Sequence, residues 1–235
     1  MNHVNAMRLI KASMDKITLE RILGYQEKSD NSDRMLYRRI INEYHKYKNY
    51  TDYPGRRIDY FVKLNGNIIG VTGIASAMLA ISPRDNFIGW DRSTRLRNLG
   101  KIANNYRFCM IERGYGSRVL SLLAKQGKVD WFKKYREKLV LFETMVEPPF
   151  SGTVYKSASW VEVGKTKGQT FRRRVSRSLH MRGSKKRADL VKAGKYEDGH
   201  YKHCGSTVIE KKAESIPKII FVRPLHRNWK KILNR

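Results

Sequence analysis

The sequence predicts an α+β domain with a mixed central sheet flanked by helices, and three observations carry that expectation. Two β-rich runs, 58–64 and 68–75, flank Asn65-Gly66, the dipeptide a type I′ hairpin favours because both central positions need φ > 0. The longest uncharged apolar run, residues 68–81, is 14 residues with two glycines, too short to span a bilayer and suited to core strands. Downstream, apolar runs of strand length alternate with helical faces, separated by glycine or proline.

In chain order, residues 1–36 are polar and read as a helical appendage in which Ile10, Met14, Ile17, Leu19 and Ile22 are only loosely periodic. Asp33 is placed to cap a helix that carries Leu36, Ile40, Ile41 and Tyr44 on one face. The hairpin follows. Ser93 opens a short helix bearing Leu96, Leu99 and Ile102, and residues 107–111 form a strand. The chain then turns at Gly114 and Gly116 into a helix with Val119, Leu120, Leu122 and Leu123, and residues 128–138 read as a second helix. Residues 139–146 form an apolar strand that Pro148-Pro149 ends. A short helix at 153–158, a strand at 160–163, a final strand at 218–222 and an amphipathic turn at Trp229, Ile232 and Leu233 complete the order. No internal repeat is visible. The core therefore spans residues 37–164, and 217–235 return to complete it. Residues 165–216 stand apart as a basic arm.

Charge explains why. The 235 residues hold 49 Lys and Arg against 21 Asp and Glu, a net charge of +28. With 40% hydrophobic residues the chain is nonetheless no disordered polycation. Residues 165–195 contain twelve basic side chains against Asp189 alone: Lys165, Lys167, Arg172, Arg173, Arg174, Arg177, Arg182, Lys185, Lys186, Arg187, Lys192 and Lys195. Glycines and serines punctuate this stretch, which reads as a long loop that binds polyanions by releasing their counterions. Nucleic acid, DNA above all, is the expected partner, with a merely solvated surface as the alternative. An anionic membrane is disfavoured because no helix with a broad apolar face accompanies the charges. The first residues lack the apolar stretch of a secretory signal, and two cysteines make no disulfide framework, so a cytoplasmic protein is expected.

Strand, glycine turn and helix start form a general anion site, which here falls on Gly114, Tyr115, Gly116 and Ser117. Glu143, at a strand end, is a candidate general base should burial raise its pKa. His45 sits among aromatics in Tyr44-His45-Lys46-Tyr47 and either titrates in a site or caps its helix. Arg84, Asp85 and Asp91 flank Gly89-Trp90, as site residues or as a structural ion pair, and Arg107 either pairs with Glu143 or holds an anionic group. Gly164-Lys165-Thr166-Lys167-Gly168 lacks the nucleotide P-loop pattern. His200, His203 and Cys204, near Glu197 and Asp198, offer three metal ligands without the second paired cluster of a closed zinc site, and no metal is expected. Cys109 belongs to a strand core. Paired acidic residues keep a nuclease open as a third class, without a clear metal motif.

Residues 151–160, Ser-Gly-Thr-Val-Tyr-Lys-Ser-Ala-Ser-Trp, resemble the last strand and helix of the GCN5-related acyltransferase (GNAT) superfamily, with Tyr155 five residues before Trp160 and Ser159 in place of the usual glycine. The resemblance implies a GNAT-like fold, an acyl-CoA or acetyl-CoA cofactor held at Gly114, Tyr115, Gly116 and Ser117, and Tyr155 as the acid that protonates the departing thiolate. Packing beneath the sheet is the other role open to Tyr155. A second resemblance covers residues 37–235. Arg84-Asp85-Asn86-Phe87-Ile88-Gly89-Trp90-Asp91, Asn104-Asn105-Tyr106-Arg107-Phe108, Phe142-Glu143-Thr144-Met145-Val146, Gly152-Thr153-Val154-Tyr155 and Phe221-Val222-Arg223-Pro224-Leu225 occur in order and together resemble the DruA family of the Druantia anti-phage system. That likeness implies a prokaryotic or phage setting, a link to foreign DNA and partner proteins from a defence system or a phage. The expectation is a DNA-binding, GNAT-like transferase that modifies DNA or a DNA-bound target. Its rival is a non-catalytic nucleic-acid module of a defence or transposition system.

Overall fold

The structure, a computed structural model, describes residues 15–23, 31–45, 55–167 and 216–235, together with the strand backbones at 170–174, 196–197, 200–201 and 210–214. The chain divides into two compact units, Met1–Thr166 with Pro217–Arg235, and Lys167–Ile216. The larger unit is built on a seven-stranded mixed sheet.

Its first strand, β1 (Ile17–Ile22), corrects the expected helical appendage. The segment exposes Thr18 and Glu20 and buries Leu19 and Ile22 in opposite core layers, and it pairs antiparallel with β2 (Arg57–Leu64). Helix α1 (Ser32–Tyr44) buries Arg34, Tyr37, Ile40 and Ile41 and leaves Leu36 and Tyr44 exposed, so its inner face is rotated from the expected one. Asn31, not Asp33, holds the cap position. The hairpin to β3 (Asn67–Ser76) forms as expected, with Asn65 at φ 50° and Gly66 at φ 91°. Asn65 also fastens β1: its Oδ1 accepts from Lys16 N at 2.9 Å and its own N–H donates to Lys16 O at 3.0 Å.

Helices α2 (Ser82–Ile88) and α3 (Arg92–Asn98) lead to β4 (Ile102–Met110). The α3 cap is Asp91, which accepts from Thr94 N at 2.7 Å, rather than Ser93. One helix, α4 (Gly116–Tyr135), replaces the two expected between 117 and 138. Gly127 does not break it; a Cβ there would stand 3.2 Å from Ile74 and Phe142, so the glycine lets the helix lie close on the sheet. Then come β5 (Leu141–Val146), α5 (Thr153–Ser157) and β6 (Val161–Lys165). Strand β11 (Ile219–Pro224) inserts antiparallel between β5 and β6, and α6 (Trp229–Leu233) ends the chain. The order across the sheet is β1-β2-β3-β4-β5-β11-β6.

Period-two alternation divides the core into two layers. On one face Tyr60, Val62, Phe142 and Phe221 pack with Leu120, Leu123 and Trp131 of α4 and with Tyr155 and Trp160. On the other, Phe61, Val71 and Cys109 meet Tyr37, Ile40 and Ile41 of α1, while Leu141 and Val222 meet Ile88, Trp90 and Leu233. Trp90 Nε1 donates to Leu233 O at 2.7 Å and ties the last helix down. Cys109 is a buried free thiol, pushed up to about 11 by desolvation, as a strand-core residue. Among the described residues no helix is long and apolar enough to cross a membrane.

In the smaller unit, β7 (Thr170–Arg174) pairs antiparallel with β10 (Glu210–Glu214), and β8 (Tyr196–Glu197) pairs with β9 (His200–Tyr201). The expected loop thus contains strands at Arg172, Arg173 and Arg174, whose pairing partners lie more than thirty residues away where no local pattern announces them. Arg177, Arg182, Lys185, Lys186, Arg187, Lys192, Lys195, Asp198, His203 and Cys204 lie outside the described residues.

Candidate functional site

Strands β4 and β5 are the only parallel neighbours among the described residues, and they stay together for three residue pairs: Ile102↔Leu141, Ala103↔Phe142 and Asn104↔Glu143. Beyond Asn104 they splay. A bulge helps to part them, because β4 shifts register against β3 between Gly73 and Ala75, where Asn105 and Tyr106 have no counterparts of their own. The gap opens into a cleft of about 610 Å³ that passes between the two layers. Tyr44, His45, Tyr106 and Arg107 line it on the α1 side, and Phe108, Thr153, Val154 and Tyr155 on the α5 side.

Tyr155 projects into the parting of the strands. Gly152, at φ 74°, starts α5 with its α-carbon against the Phe221 ring, so only glycine fits, and Tyr155 then stacks on that ring at 5.8 Å and meets Trp160 edge-on at 5.1 Å. Its hydroxyl donates to Asn105 Oδ1 at 2.9 Å and lies 3.5 Å from Thr144 Oγ1. Burial pushes the phenol up to about 12, opposed by the Thr144 contact, so Tyr155 holds its proton at neutral pH. Asn105 is itself fixed, since Nδ2 donates to Gly73 O at 2.9 Å, Arg107 O at 3.0 Å and Thr72 Oγ1 at 3.1 Å. Thr144 Oγ1 reaches across the gap to Asn105 O at 3.0 Å.

Glu143 faces the other way. Alternation along β5 sends it to the layer opposite Thr144, where its carboxylate accepts from Arg84 Nη1 at 2.6 Å and from Met78 N at 2.9 Å. Arg84, fully buried, donates from Nε to Asp85 Oδ1 at 2.8 Å and from Nη1 to Met78 O at 2.9 Å, and Arg95 Nη1 donates to Asp85 Oδ2 at 3.0 Å. Desolvation raises the Glu143 pKa, and Arg84 works against it. Of the four expected catalytic residues, Tyr155 and His45 therefore reach the cleft, whereas Glu143 and Asp85 form a buried clamp on the 76–84 segment. Arg107 does not pair with Glu143; it lines the cleft.

The glycine turn meets the cleft through Arg113, while Gly114, Tyr115, Gly116 and Ser117 are not among the cleft's lining residues. Gly114 has φ 94° and open space where a side chain would begin, whereas at Gly116 a β-carbon would stand 2.5 Å from Val154 Cγ2, so this glycine serves the packing of α4 on α5. The first turn of α4 has no acidic residue and its cap, Tyr115, makes no side-chain capping bond. Arg113 lines the cleft, and the Tyr115 hydroxyl donates to Asp15 at 3.0 Å. Ser117 faces a separate depression with Arg118 and Lys125.

A profile of one family, described as Druantia protein DruA, matches residues 3–235. The chain belongs to the DruA family. This is the family of an anti-phage Druantia component, and the match spans nearly the whole chain. No curated protein sequence matches this DruA-family chain. Among solved structures it is similar to the aminoglycoside acetyltransferase AAC(6')-Ib in complex with coenzyme A, at 12% identity over 92% of this chain and 98% of that one, TM-score 0.46. It is similar also to FeeM, an N-acyl amino acid synthase from uncultured soil microbes, at 11% identity over 93% and 94%, TM-score 0.44. A spermidine N-acetyltransferase SpeG chimera from Vibrio cholerae and hSSAT gives 11% identity over 93% and 99%, TM-score 0.44. At such scores the likeness decides nothing alone; the GNAT-like architecture of this DruA-family chain rests on its strand order and the β4–β5 splay.

Residue type alone does not mark Asn105, Tyr106 and Thr144 as cleft-lining residues, although Asn104-Asn105-Tyr106-Arg107-Phe108 is a motif of the sequence. Two consecutive asparagines inside an apolar strand were the available signal, because buried amides need partners. Among the described residues no cluster of three or more His, Cys, Asp or Glu is placed to hold a metal.

Proposed function

We propose that this DruA-family protein binds DNA through its basic segment and transfers an acyl group from a coenzyme A thioester to DNA or to a DNA-bound target. The observation that carries this reading is the splay of β4 from β5 with the Tyr155 hydroxyl inside it. The chemistry of the turn fits a coenzyme: bare N–H groups at the start of α4, no carboxylate in its first turn, and Arg113 beside it favour a pyrophosphate at Gly114, Tyr115, Gly116 and Ser117. Bound there, a thioester would supply an activated acyl group. Tyr155 Oη, protonated at neutral pH, is the proton donor in the gap, and Asn105 and Thr144 aim it. His45, at the α1 mouth, is the candidate proton acceptor for the incoming amine. Glu143 and Asp85 act from behind, by fixing Arg84 and the loop at Met78.

DNA as partner is supported by charge: residues 165–195 carry twelve basic side chains against Asp189 alone, a density that suits a polyanion. Calorimetry with acyl-coenzyme A and mass analysis of nucleosides from incubated DNA, across a panel of donors, test the proposal together. Absence of both binding and mass change removes the enzyme reading.

A non-catalytic nucleic-acid module is the second reading, and one observation favours it: Val154 fills the space at Gly116 beside the turn. Phage protection that survives Tyr155→Phe would select it.

A further inference from the structure

We propose that the α1 side of the cleft is a binding site for a single nucleotide, with its phosphate on Arg107 and its base against Tyr106. The inference deepens the DNA reading and does not depend on acyl transfer.

Arg107 lies two residues before Cys109 and shares its α1-side orientation, with the guanidinium 5.7 Å over the Tyr106 ring. Its Nε is buried without a hydrogen-bond acceptor, and among the described residues no carboxylate pairs with it. A buried, unpaired guanidinium donor is costly, and here the carboxylates around it are already engaged. Asp59 binds Arg34 at 3.2 Å and Arg57 at 3.4 Å and accepts the Tyr106 hydroxyl. Glu143 is taken by Arg84 at 2.6 Å, and Glu147 by Lys218 at 3.0 Å. The unfilled position on Arg107 is thus open to an anion other than these carboxylates.

Tyr106 supplies the second half of the site. Its hydroxyl is anchored on Asp59, whose side chain is fully buried, and Gly73 leaves room for both, since a β-carbon there would stand 2.7 Å from Tyr106 Cε1 and from Asp59 Oδ1. The ring is therefore held rigid beneath the guanidinium. A fixed aromatic face beside an unpaired arginine is the chemistry that holds a base and its phosphate in single-stranded recognition. A cleft of about 610 Å³ admits one nucleotide unit and excludes a duplex, so a base in DNA would enter from a single strand or after extrusion from the stack. A free nucleotide presents the same chemistry.

The test uses the full chain and three probes: deoxynucleoside monophosphates with the matching nucleosides, a single-stranded oligonucleotide carrying 2-aminopurine, and its duplex. The site predicts that monophosphates bind tenfold or more tighter than nucleosides, and that Arg107→Gln abolishes this difference while binding of long duplex keeps its salt slope. Arg107→Lys, which keeps the charge but loses the planar fork, is expected to restore only part of it. A rise in 2-aminopurine fluorescence identifies the strand as the source; monophosphate binding without that rise identifies a free nucleotide. Equal affinity for nucleosides and monophosphates in the unaltered chain, or binding unchanged by Arg107→Gln, overturns the proposal. Phosphate-dependent binding without any acyl transfer would remove the transferase reading and leave this one standing.

Discussion

The hydroxyl of Tyr155 donates to Asn105 Oδ1 across 2.9 Å, which joins the short helix α5 to the strand residue at which β4 leaves β5. Tyr155→Phe removes that bond and keeps the ring packing on Phe221 and Trp160. We expect acyl transfer to fall by about 10²–10⁴ if the phenol is the acid. Stability should fall by about 1–3 kcal/mol, because the buried Asn105 Oδ1 loses its donor while Nδ2 keeps its acceptors. Steady-state kinetics set beside thermal denaturation separate the two effects.

The same phenol gives a pH signature. Its pKa is raised by burial from 10.0 to about 12, so the folded state holds the proton more tightly than the unfolded chain does. The sign follows from linkage: the contribution is fully present below pH 10 and is lost as pH rises from about 10 to about 12. Tyr60, raised by burial and by Asp130, adds to the loss in the same direction. Denaturant titrations at alkaline pH should show a shallower decline for Tyr155→Phe than for the unaltered chain; identical slopes would contradict this.

Arg84→Met leaves the fully buried Glu143 carboxylate without its cation, and a loss of about 3–5 kcal/mol is expected near neutral pH. Removing Arg84 also removes the influence that lowers the Glu143 pKa, so the raised value moves further up. A protonated Glu143 needs no cation. The deficit of the variant should therefore shrink as pH falls, which urea unfolding at several pH values would measure.

Three glycines near the cleft predict an order of damage. Gly152→Ala combines φ 74° with a clash on the Phe221 ring and should be the worst. Gly116→Ala meets Val154 Cγ2 at 2.5 Å and should cost about 1–3 kcal/mol, relieved by Val154→Ala. At Gly114, with φ 94° and open space, the cost is backbone strain alone, about 1 kcal/mol. Melting temperatures of the single variants and of the Gly116/Val154 pair check the ranking.

Replacing Arg172, Arg173 and Arg174 by glutamine should weaken DNA binding and reduce the slope of log affinity against log salt by about three units or fewer. An unchanged slope would move the contact surface elsewhere.

The hairpin at Asn65-Gly66, the strand from Leu141, the helix at Tyr155 and the family itself were legible in the sequence, because each is encoded by local chemistry: turn residues, alternation or a contiguous motif. Ile17–Ile22 was not, since an edge strand takes its conformation from β2, some forty residues on. Nor was the unity of α4, where Gly127 looks like a break until Ile74 and Phe142 are seen to press on it. The site divides in the same way. Tyr155 and His45 could be nominated from residue type and context, and both line the cleft. Which way Glu143 faces depended on the phase of β5, and that is set by packing against Arg84 on one side and Phe221 across the sheet on the other. The sequence by itself determined an α+β chain of the DruA family with its charge concentrated late. The folded chain was needed to see that β4 and β5 part after Asn104, that Glu143 belongs to a buried clamp and that among the described residues no carboxylate pairs with Arg107, because each of these depends on residues far apart in the chain meeting in one place.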